Sequence, residues 1–279
     1  MKDKLMKQLN LQECQDNVRK AAPLTLTITN QVTINECANA LLAIGASPVM
    51  SGHPDDAEAL AAIAAAVVLN IGMINQPQLE VMLAAGRGAA KAGKPVILDP
   101  VGAGATALRF EAARRLIEEA GPTVIRGNFS EIKALAGLAG GPQKGVDSAE
   151  TEDVKAASEI AADLAGRLQT IVAVTGATDV VAGPDGNIFL IEGGTPLLTR
   201  LTGTGCLLSA MVGAYAGANA ADRPAAVIAA MSHLALAGER AAGDLPGPQY
   251  LGSFRAALFD QLTLVGGNDL GAFQGVRRP

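Results

Sequence analysis

A loop rich in glycine and threonine precedes a long run of small residues near residue 205. The segment from Leu201 to Ala214 reads Leu-Thr-Gly-Thr-Gly-Cys-Leu-Leu-Ser-Ala-Met-Val-Gly-Ala. Such a loop can turn its backbone N–H groups towards one point at the first turn of a helix, where the unpaired donors and the helix dipole favour an anion. Cys206 falls in that first turn, so we expect its thiol to lose a proton more easily than usual. An anion cradle with a weak base beside it is what phosphoryl transfer to an alcohol requires.

Charged and polar residues follow two of the apolar runs further upstream. Asp99 ends one run, and its carboxylate either caps a turn or holds Mg²⁺ through water. Arg126 follows the next run as a planar cation suited to phosphate oxygens. Asn128 and Glu131 have the spacing of a capping box, which is compatible with a functional role because a helix that starts at a strand end also faces the ligand crevice.

Three further positions carry side chains suited to a ligand, and two of them, Thr175 and Met50, also allow an ordinary structural role. Thr175 follows an apolar run, where it can donate to a phosphate or serve as an ordinary turn residue. Asn30 can hydrogen-bond a small polar heterocycle. Met50 offers an adaptable apolar surface to an aromatic ring, although a single methionine is more often part of a core.

Other chemistry-bearing residues do not form a recognisable site. His53 and His233 have no cysteine or carboxylate at ligand spacing, and His233 is expected to be a buried, hydrogen-bonded residue. Cys14 and Cys37 are expected to pack in the core. Because neither a P-loop nor a Rossmann glycine motif occurs in the right context, a phosphate site has to lie in the loop 203–206.

The elements that must position these residues alternate between short β-rich runs and long alanine-rich helical stretches. Continuous apolar strands separated by helices indicate a parallel sheet covered on both faces, in one α/β domain over 1–279 with a polar leading helix over 1–22. The last two strands flank the turn Pro184-Asp185-Gly186-Asn187, which predicts a hairpin at the sheet edge. The predicted strands are Leu24–Thr29, Val67–Ile71, Pro95–Leu98, Thr123–Ile125, Thr170–Val174, Val180–Ala182 and Ile188–Ile191. The predicted helices are Asn35–Ala43, Asp55–Ala65, Gln78–Ala92, Thr106–Glu119, Ala149–Leu168, a stretch from 205 to about 242, and Ser253–Leu264.

The amino-acid composition and net charge narrow the classes of protein to which this chain can belong. Of 279 residues, 49% are hydrophobic and 18% charged, which permits a large core and leaves apolar surface for a partner subunit. A net charge of −5 without a long basic run argues against a nucleic-acid ligand. The longest apolar run, Ala59 to Leu69, is shorter than the roughly 20 residues that cross a bilayer. Three cysteines form no pairing framework, so we expect a reducing cytoplasm.

Six motifs in order along the chain resemble those of hydroxyethylthiazole kinases, a family within the ribokinase-like superfamily. A cysteine in the anion loop and the Gly-Ala-Ser-Pro-x-Met segment are specific to this family, because most ribokinase-like enzymes carry Asp at the cysteine position. The motifs are Thr-Asn-x-Val at 29–32, Gly-Ala-Ser-Pro-Val-Met at 45–50, Leu-Asn-Ile-Gly at 69–72, Leu-Asp-Pro-Val-Gly-Ala-Gly-Ala at 98–105, Ile-Arg-Gly-Asn at 125–128 and Thr-Gly-Thr-Gly-Cys-Leu-Leu at 202–208.

The resemblance implies a three-layer ribokinase-like sandwich that phosphorylates the primary alcohol of 4-methyl-5-(2-hydroxyethyl)thiazole with ATP in thiamine salvage. It also implies a homotrimer with active sites between subunits. By the family pattern, the site residues divide into four groups. Asn30, Met50 and Gly203 would contact the thiazole, and Arg126, Asn128 and Thr175 would lie at ATP. Asp99 and Glu131 would organise Mg²⁺. Cys206 would face the hydroxyl, beside Gly203, Thr204 and Gly205.

Other functions on the same scaffold remain as alternatives. One is a dehydratase for a nicotinamide hydrate, whose pattern places Asp where Cys206 stands. Another is a kinase for a hydroxymethylpyrimidine or a sugar. A third is a protein that binds a nucleotide or a thiazole without turnover, which the combination of Asp99, Arg126 and Glu131 with the anion loop argues against.

Overall fold

One mixed sheet runs through the part of the chain that the computed structural model describes, residues 9–137 and 154–279. The strands are β1 (Leu24–Ile28), β2 (Ser47–Val49), β3 (Ala66–Asn70), β4 (Val96–Asp99), β5 (Val124–Asn128), β6 (Ile171–Thr175), β7 (Thr178–Ala182), β8 (Ile188–Glu192) and β9 (Val276–Arg277). Their order across the sheet is β2-β1-β3-β4-β5-β6-β7-β8-β9. Pairing is parallel from β2 to β6 and antiparallel from β6 to β9.

Helices cover both faces of this sheet, because successive strand residues point alternately to the two sides. Val68 and Ile97 join one buried cluster, whereas Val67 and Leu98 join the other. The first cluster packs under α1 (Leu11–Ala21), α2 (Ile34–Ile44), α8 (Thr204–Ala218), α9 (Arg223–Gly243), α10 (Leu251–Leu264) and α11 (Gly267–Ala272). The second packs under α3 (Pro54–Ile63), α4 (Gln76–Lys91), α5 (Ala107–Ala120), α6 (Phe129–Leu135) and α7 (Val154–Leu168). The predicted three-layer α/β architecture is therefore confirmed.

Helix α8 lies directly on the sheet, since every fourth residue along one face is glycine or serine. A Cβ at Gly213 would approach Val68 Cγ2 to 2.5 Å, and one at Gly217 would approach the Ala65 carbonyl oxygen to 2.9 Å. Ser209 on the same face reaches Asp99 at the end of β4. Because Gly217 lies over the start of β3 and Ser209 over the end of β4, α8 runs against the parallel strands. Its N-terminus therefore points to the carboxyl edge of the sheet.

Some elements differ from the sequence prediction. The short strand β2 and the terminal β9 were not predicted, and the long helix after residue 205 divides at Asn219, with Asp222 capping α9. The hairpin around Pro184–Asn187 is confirmed, although β9 rather than β8 forms the sheet edge. The predicted parts of the leading helix at 1–8 and of the helix at 149–153 lie outside the described residues. Among the helices described, none is long and apolar enough to span a bilayer.

The leading helix α1 is anchored to the core by a buried polar network. Tyr215 on α8 hydrogen-bonds both Gln15 on α1 and His233 on α9, and His233 reaches the Leu262 carbonyl with its other ring nitrogen. Burial lowers the pKa of His233 to about 4, so the imidazole is neutral at pH 7. The expectation of a buried, hydrogen-bonded His233 is confirmed, and Cys14 and Cys37 are buried as expected.

Candidate active site at the carboxyl edge

The predicted site residues meet at one edge of the sheet, as the parallel topology requires. Asp99 is in register with Asn70 on β3, and Asn128 is in register with Thr175 on β6. Asn30 follows β1 by two residues, and Met50 follows β2 directly. The carboxyl ends of neighbouring parallel strands thus bring together side chains that are far apart in sequence.

Asp99 is the most deeply buried of these residues. Its side chain is fully shielded from solvent, and its Oδ2 accepts hydrogen bonds from Asn70 Nδ2 at 2.6 Å and Ser209 Oγ at 2.8 Å. The other oxygen, Oδ1, is buried and has no protein partner. Burial raises the pKa of the Asp99 carboxyl, while Arg126 acts in the opposite direction. A buried carboxylate oxygen without a donor is costly, so this atom is suited to a ligand.

Arg126 extends across the same edge from β5. Its Nη2 donates to Thr175 Oγ1 at 2.7 Å, and its Nη1 lies 3.9 Å from Asp99 Oδ2. A Cβ at Gly205 would lie only 2.9 Å from Nη1, so the guanidinium packs against the first turn of α8. Its Nε is buried without an acceptor. The cation is therefore held in place beside the helix start, and its buried Nε donor is free for a ligand.

Glu131 and Asn128 form the capping box that their spacing predicts. The Asn128 side chain accepts from the Glu131 amide at 2.9 Å, and Glu131 Oε2 accepts from the Asn128 amide at 2.8 Å. The other carboxylate oxygen, Oε1, accepts from the amide of Gly102 at 2.8 Å. Burial raises the pKa of Glu131, and the nearby Asp99 adds to the effect. Glu131 thus joins the glycine-rich loop after β4 to the start of α6.

The loop before α8 has the shape expected of an anion cradle. Gly203 caps the helix with φ of +93°, a left-handed conformation that favours glycine. The amide of Leu207 is bonded to the Gly203 carbonyl at 2.8 Å, so the amides of Thr204, Gly205 and Cys206 precede the first closed turn. The Thr204 hydroxyl donates to the Leu198 carbonyl at 2.9 Å, which secures the loop and leaves the Thr204 amide as its contribution to the cradle.

Cys206 lies in the first turn of α8, as expected, but its acidity does not match the prediction. Burial raises the pKa of the thiol, and the Asp99 carboxylate adds to this effect. The expectation of an easily ionised thiol is therefore wrong, because burial and the neighbouring Asp99 carboxylate both disfavour the thiolate. The sulfur accepts a hydrogen bond from Asn30 Nδ2 at 3.5 Å.

Two asparagines connect Cys206 to Asp99. Asn30 Nδ2 donates to Asn70 Oδ1 at 3.0 Å, and Asn70 in turn donates to Asp99. The amide of Gly72 also donates to Asn70 Oδ1, which fixes the orientation of that side chain. Asn30 Oδ1 accepts from the amides of Val32 and Thr33, so in this structure its oxygen is used within the protein.

Sequence reasoning missed Asn70 and Ser209 as parts of the site. The signal for Asn70 is its place in the Leu-Asn-Ile-Gly motif at the end of a predicted strand, where polar side chains face the ligand crevice. Ser209 follows Gly205 by four residues, so it lies on the same helix face as the cradle. Met50 is half-buried and packs against the hydrophobic cluster under α8, which is compatible with either interpretation of this residue.

A divalent ion is compatible with the site, although the protein supplies few ligands. Across residues 9–137 and 154–279, no group of three or more His, Cys, Asp or Glu side chains is arranged to hold a metal. The unpartnered Oδ1 of Asp99 fits the role of one oxygen ligand. Such a site would be completed by water and phosphate oxygens, as is usual for Mg²⁺. The arrangement as a whole can bind a polyphosphate and stabilise negative charge at the start of α8.

The family model and the curated relatives to which the chain is similar agree on one family. The model of the hydroxyethylthiazole kinase family matches residues 15–266. A relative named hydroxyethylthiazole kinase from Clostridium beijerinckii is 41% identical over 256 residues, covering 91% of this chain and 91% of the relative. One of the same name from Nitratidesulfovibrio vulgaris (strain DP4) is 46% identical over 245 residues, covering 88% and 89%.

Solved structures agree with these matches. The structure of a hydroxyethylthiazole kinase protein from Pyrococcus horikoshii OT3 superposes with a TM-score of 0.86 at 36% identity, covering 96% of this chain and 98% of that one. An ADP/ATP-dependent NAD(P)H-hydrate dehydratase from Bacillus subtilis has a TM-score of 0.56 at 20% identity and covers 88% of each chain, which shows a shared fold alone. The dehydratase alternative is therefore not favoured. The family match over most of the chain, together with the cradle, the buried carboxylate and the fixed arginine, shows that the chain belongs to the hydroxyethylthiazole kinase family.

Proposed function

We propose that the chain transfers the γ-phosphoryl group of ATP to the primary hydroxyl of 4-methyl-5-(2-hydroxyethyl)thiazole, forming the monophosphate in thiamine synthesis. As a member of this kinase family, it is a phosphotransferase with an alcohol as acceptor. The observation that carries the proposal is the position of the α8 start, where Gly205 packs against Arg126 and Ser209 holds Asp99. The N-terminus of α8, the Arg126 guanidinium and the Asp99 carboxylate thus lie close together, where the transferred phosphoryl group would bind.

The phosphate end of the proposed site is the better defined. The amides of Gly203, Thr204 and Gly205 would stabilise the charge that spreads over the transferred group. Arg126, held beside the helix start by its bond to Thr175, would neutralise phosphate oxygens. In this proposal Thr175 and Asn128 also lie along the ATP, since Asn128 ends the strand of Arg126 and Thr175 ends the neighbouring strand β6.

The thiazole end is assigned to Asn30, Met50 and Gly203. Met50 offers a soft, half-buried surface for the ring. For Asn30 we infer an indirect part as well, because its amide nitrogen donates to Cys206 and its oxygen is taken by backbone amides. Cys206 would face the substrate hydroxyl.

We assign Mg²⁺ to Asp99 and Glu131. Asp99 Oδ1 has no donor in the protein, and each Glu131 oxygen, though bonded to one amide, keeps acceptor capacity. When bound, the ion would neutralise phosphate charge and orient the polyphosphate. The part of the two residues themselves is to hold carboxylate oxygens rigidly at the end of β4 and in the first turn of α6.

We also propose one kinase domain over 1–279, a homotrimer with active sites between subunits, and a reducing cytoplasm. Exposed apolar side chains near the carboxyl edge, among them Val32, Met73 and Leu108, support a partner surface. The free cysteines support a reducing compartment. Light scattering tests the trimer directly, and a monomer at micromolar concentration would contradict it.

The proposed activity is tested by ADP release across a panel of alcohols. The panel contains the thiazole alcohol, a hydroxymethylpyrimidine, a sugar and a hydrated nicotinamide nucleotide. Release with the thiazole alcohol and little with the others supports the proposal. Release only with another alcohol, or binding of ATP and thiazole without turnover, would contradict it.

The variant Gly205→Ala is expected to lower kcat/KM about 100-fold while the protein stays folded. The new methyl group would approach Arg126 Nη1 to 2.9 Å and displace the guanidinium, and a displacement of about 1 Å in a positioning group typically costs about 10²-fold. Steady-state kinetics with ATP and the thiazole alcohol, together with a thermal melt, provide the measurement.

A matched control is Gly166→Ala on α7, where a Cβ would meet no atom within 4 Å. This variant should keep full activity and gain about 0.5–1 kcal/mol of stability, because alanine favours a helix over glycine. If Gly205→Ala had normal kinetics, Arg126 would not need its contact with the helix start.

Removing the thiol is expected to have a modest effect. Cys206→Ala should lower kcat by no more than about tenfold, because a loose transition state needs little base assistance. Cys206→Asp should keep or raise kcat, since an ionised carboxylate is a better proton acceptor than a thiol whose pKa is raised by burial. Measured kcat values of both folded variants test this. Abolished activity in Cys206→Asp would indicate a specific role for the sulfur.

A further inference from the structure

One cation at the carboxyl edge has no part in the site described so far. Arg109 lies in the first turn of α5, where its amide is bonded to the capping Thr106 hydroxyl at 3.3 Å. Its guanidinium donates to three backbone carbonyls: Val101 O from Nη1 at 2.7 Å, Ile71 O from Nη1 at 3.2 Å, and Gly72 O from Nη2 at 2.8 Å.

These carbonyls belong to two different loops. Ile71 and Gly72 follow β3, whereas Val101 follows β4. The strand pairing extends only one step into the loops, through the bond from the Ile71 amide to the Asp99 carbonyl at 3.2 Å. Beyond that bond, the hydrogen bonds that join the two loops in the described residues are those of the Arg109 guanidinium.

The Arg109 guanidinium holds the two loops together through their carbonyls instead of pairing with a carboxylate. Within the described ranges, no carboxylate lies within 4.0 Å of its nitrogens. It also packs against Gly102, where a Cβ would come within 3.3 Å of Nη1 and where φ is +69°. A planar cation with several donors is suited to holding carbonyls from separate segments, which a lysine ammonium does less well.

Each loop that Arg109 holds fixes one of the two buried carboxylates. The amide of Gly72 orients Asn70, which donates to Asp99. The amide of Gly102, next to Val101, donates to Glu131. We propose that Arg109 is a positioning residue that clamps the β3 and β4 loops and thereby holds Asp99 and Glu131 in the geometry that binds the metal–nucleotide complex. This inference rests on the proposed function for its activity readout and for the assignment of the metal–nucleotide complex to Asp99 and Glu131.

The test compares Arg109→Ala and Arg109→Lys with Arg115→Ala, a control on the same helix whose partners are surface glutamates. Binding of Mn²⁺ to the full chain with ADP is measured from free Mn²⁺ by electron paramagnetic resonance. Loss of partners behind a metal site typically weakens binding about 10- to 100-fold, so we expect that change for Arg109→Ala and a smaller one for Arg109→Lys. The KM for the thiazole alcohol should rise by a smaller factor than the weakening of Mn²⁺ binding, because Met50 and Gly203 lie outside the two loops that Arg109 joins, whereas Asn30 is linked to one of them through Asn70. Millimolar methylguanidinium should partly restore Mn²⁺ binding to Arg109→Ala.

The outcomes separate positioning from general stability. Unchanged Mn²⁺ binding in folded Arg109→Ala would overturn the inference, and so would an equal rise in the thiazole KM with a lowered melting temperature and no rescue by methylguanidinium. If the unmodified chain does not phosphorylate the thiazole alcohol, the proposed function fails, and the inference is still decided by Mn²⁺–ADP binding.

Discussion

Replacing Arg126 with lysine is expected to lower kcat/KM about 10³-fold, the low end of the effect of a transition-state arginine in phosphoryl transfer. Lysine keeps the charge but loses the planar fork, so it cannot donate to Thr175 and face the helix start at once. The KM for ATP should rise, whereas the KM for the thiazole alcohol should stay within about twofold. Initial-rate kinetics and calorimetric titration with ADP measure both effects.

A double-mutant cycle makes this prediction sharper. Thr175→Val removes the acceptor of the 2.7 Å bond, together with the longer bond from the Thr175 hydroxyl to the Gly127 carbonyl at 3.3 Å, and it should cost about tenfold by allowing Arg126 to move. Combined with Arg126→Lys, it should add little, because the bond is already lost. Arg167→Lys, at a surface ion pair on α7, is the matched control and should be neutral. Full additivity of the two active-site changes would show that Thr175 does not act through Arg126.

Asp99→Asn is expected to lower kcat about 10²- to 10³-fold with the fold intact. The change preserves shape, so an amide oxygen can still accept from Asn70 and Ser209. The unpartnered Oδ1, however, becomes an NH₂ group, which repels a divalent ion and removes the charge beside Arg126. The required concentration of divalent ion should rise together with the fall in kcat.

Asp163→Asn is the control for this variant, because Asp163 forms an exposed ion pair on α7 and lies outside the site. It should change neither kcat nor metal requirement. A folded Asp99→Asn protein with normal kcat and normal metal dependence would remove Asp99 from the proposed mechanism.

The sequence was most informative where local rules and topology agree. Apolar strands followed by polar residues predicted the edge where Asp99, Arg126 and Thr175 now lie together, because parallel strands share the direction of their carboxyl ends. The capping box at Asn128 was predicted from a spacing of three residues and is present. The glycines at 203 and 205 predicted a loop that turns its amides towards one point at a helix start, and Gly203 does begin α8 with φ of +93°.

Features that depend on tertiary contacts were not predicted. The strand β2 contains Pro48 and spans three residues, so only its pairing with β1 identifies it. The raised pKa of Cys206 comes from burial and from Asp99, neither of which is visible in the order of residues around the thiol. The role of Arg109 arises because its helix start brings it within reach of two loops, and arginine at a helix start is unremarkable in sequence alone.

The helix α8 connects the carboxyl edge of the sheet to the leading helix α1. One end carries the anion-binding turn, and the other end is fastened to the leading helix, where Tyr215 bonds Gln15 and Asn219 bonds the Cys14 carbonyl. Trimming the chain to begin at Pro23 would remove the Gln15 partner of Tyr215 and the Cys14 partner of Asn219, and it would expose the apolar surface that Leu11, Cys14 and Val18 cover. Leu11–Ala21 is thus a structural brace for the kinase core, and affinity tags or crystallisation truncations should leave it intact.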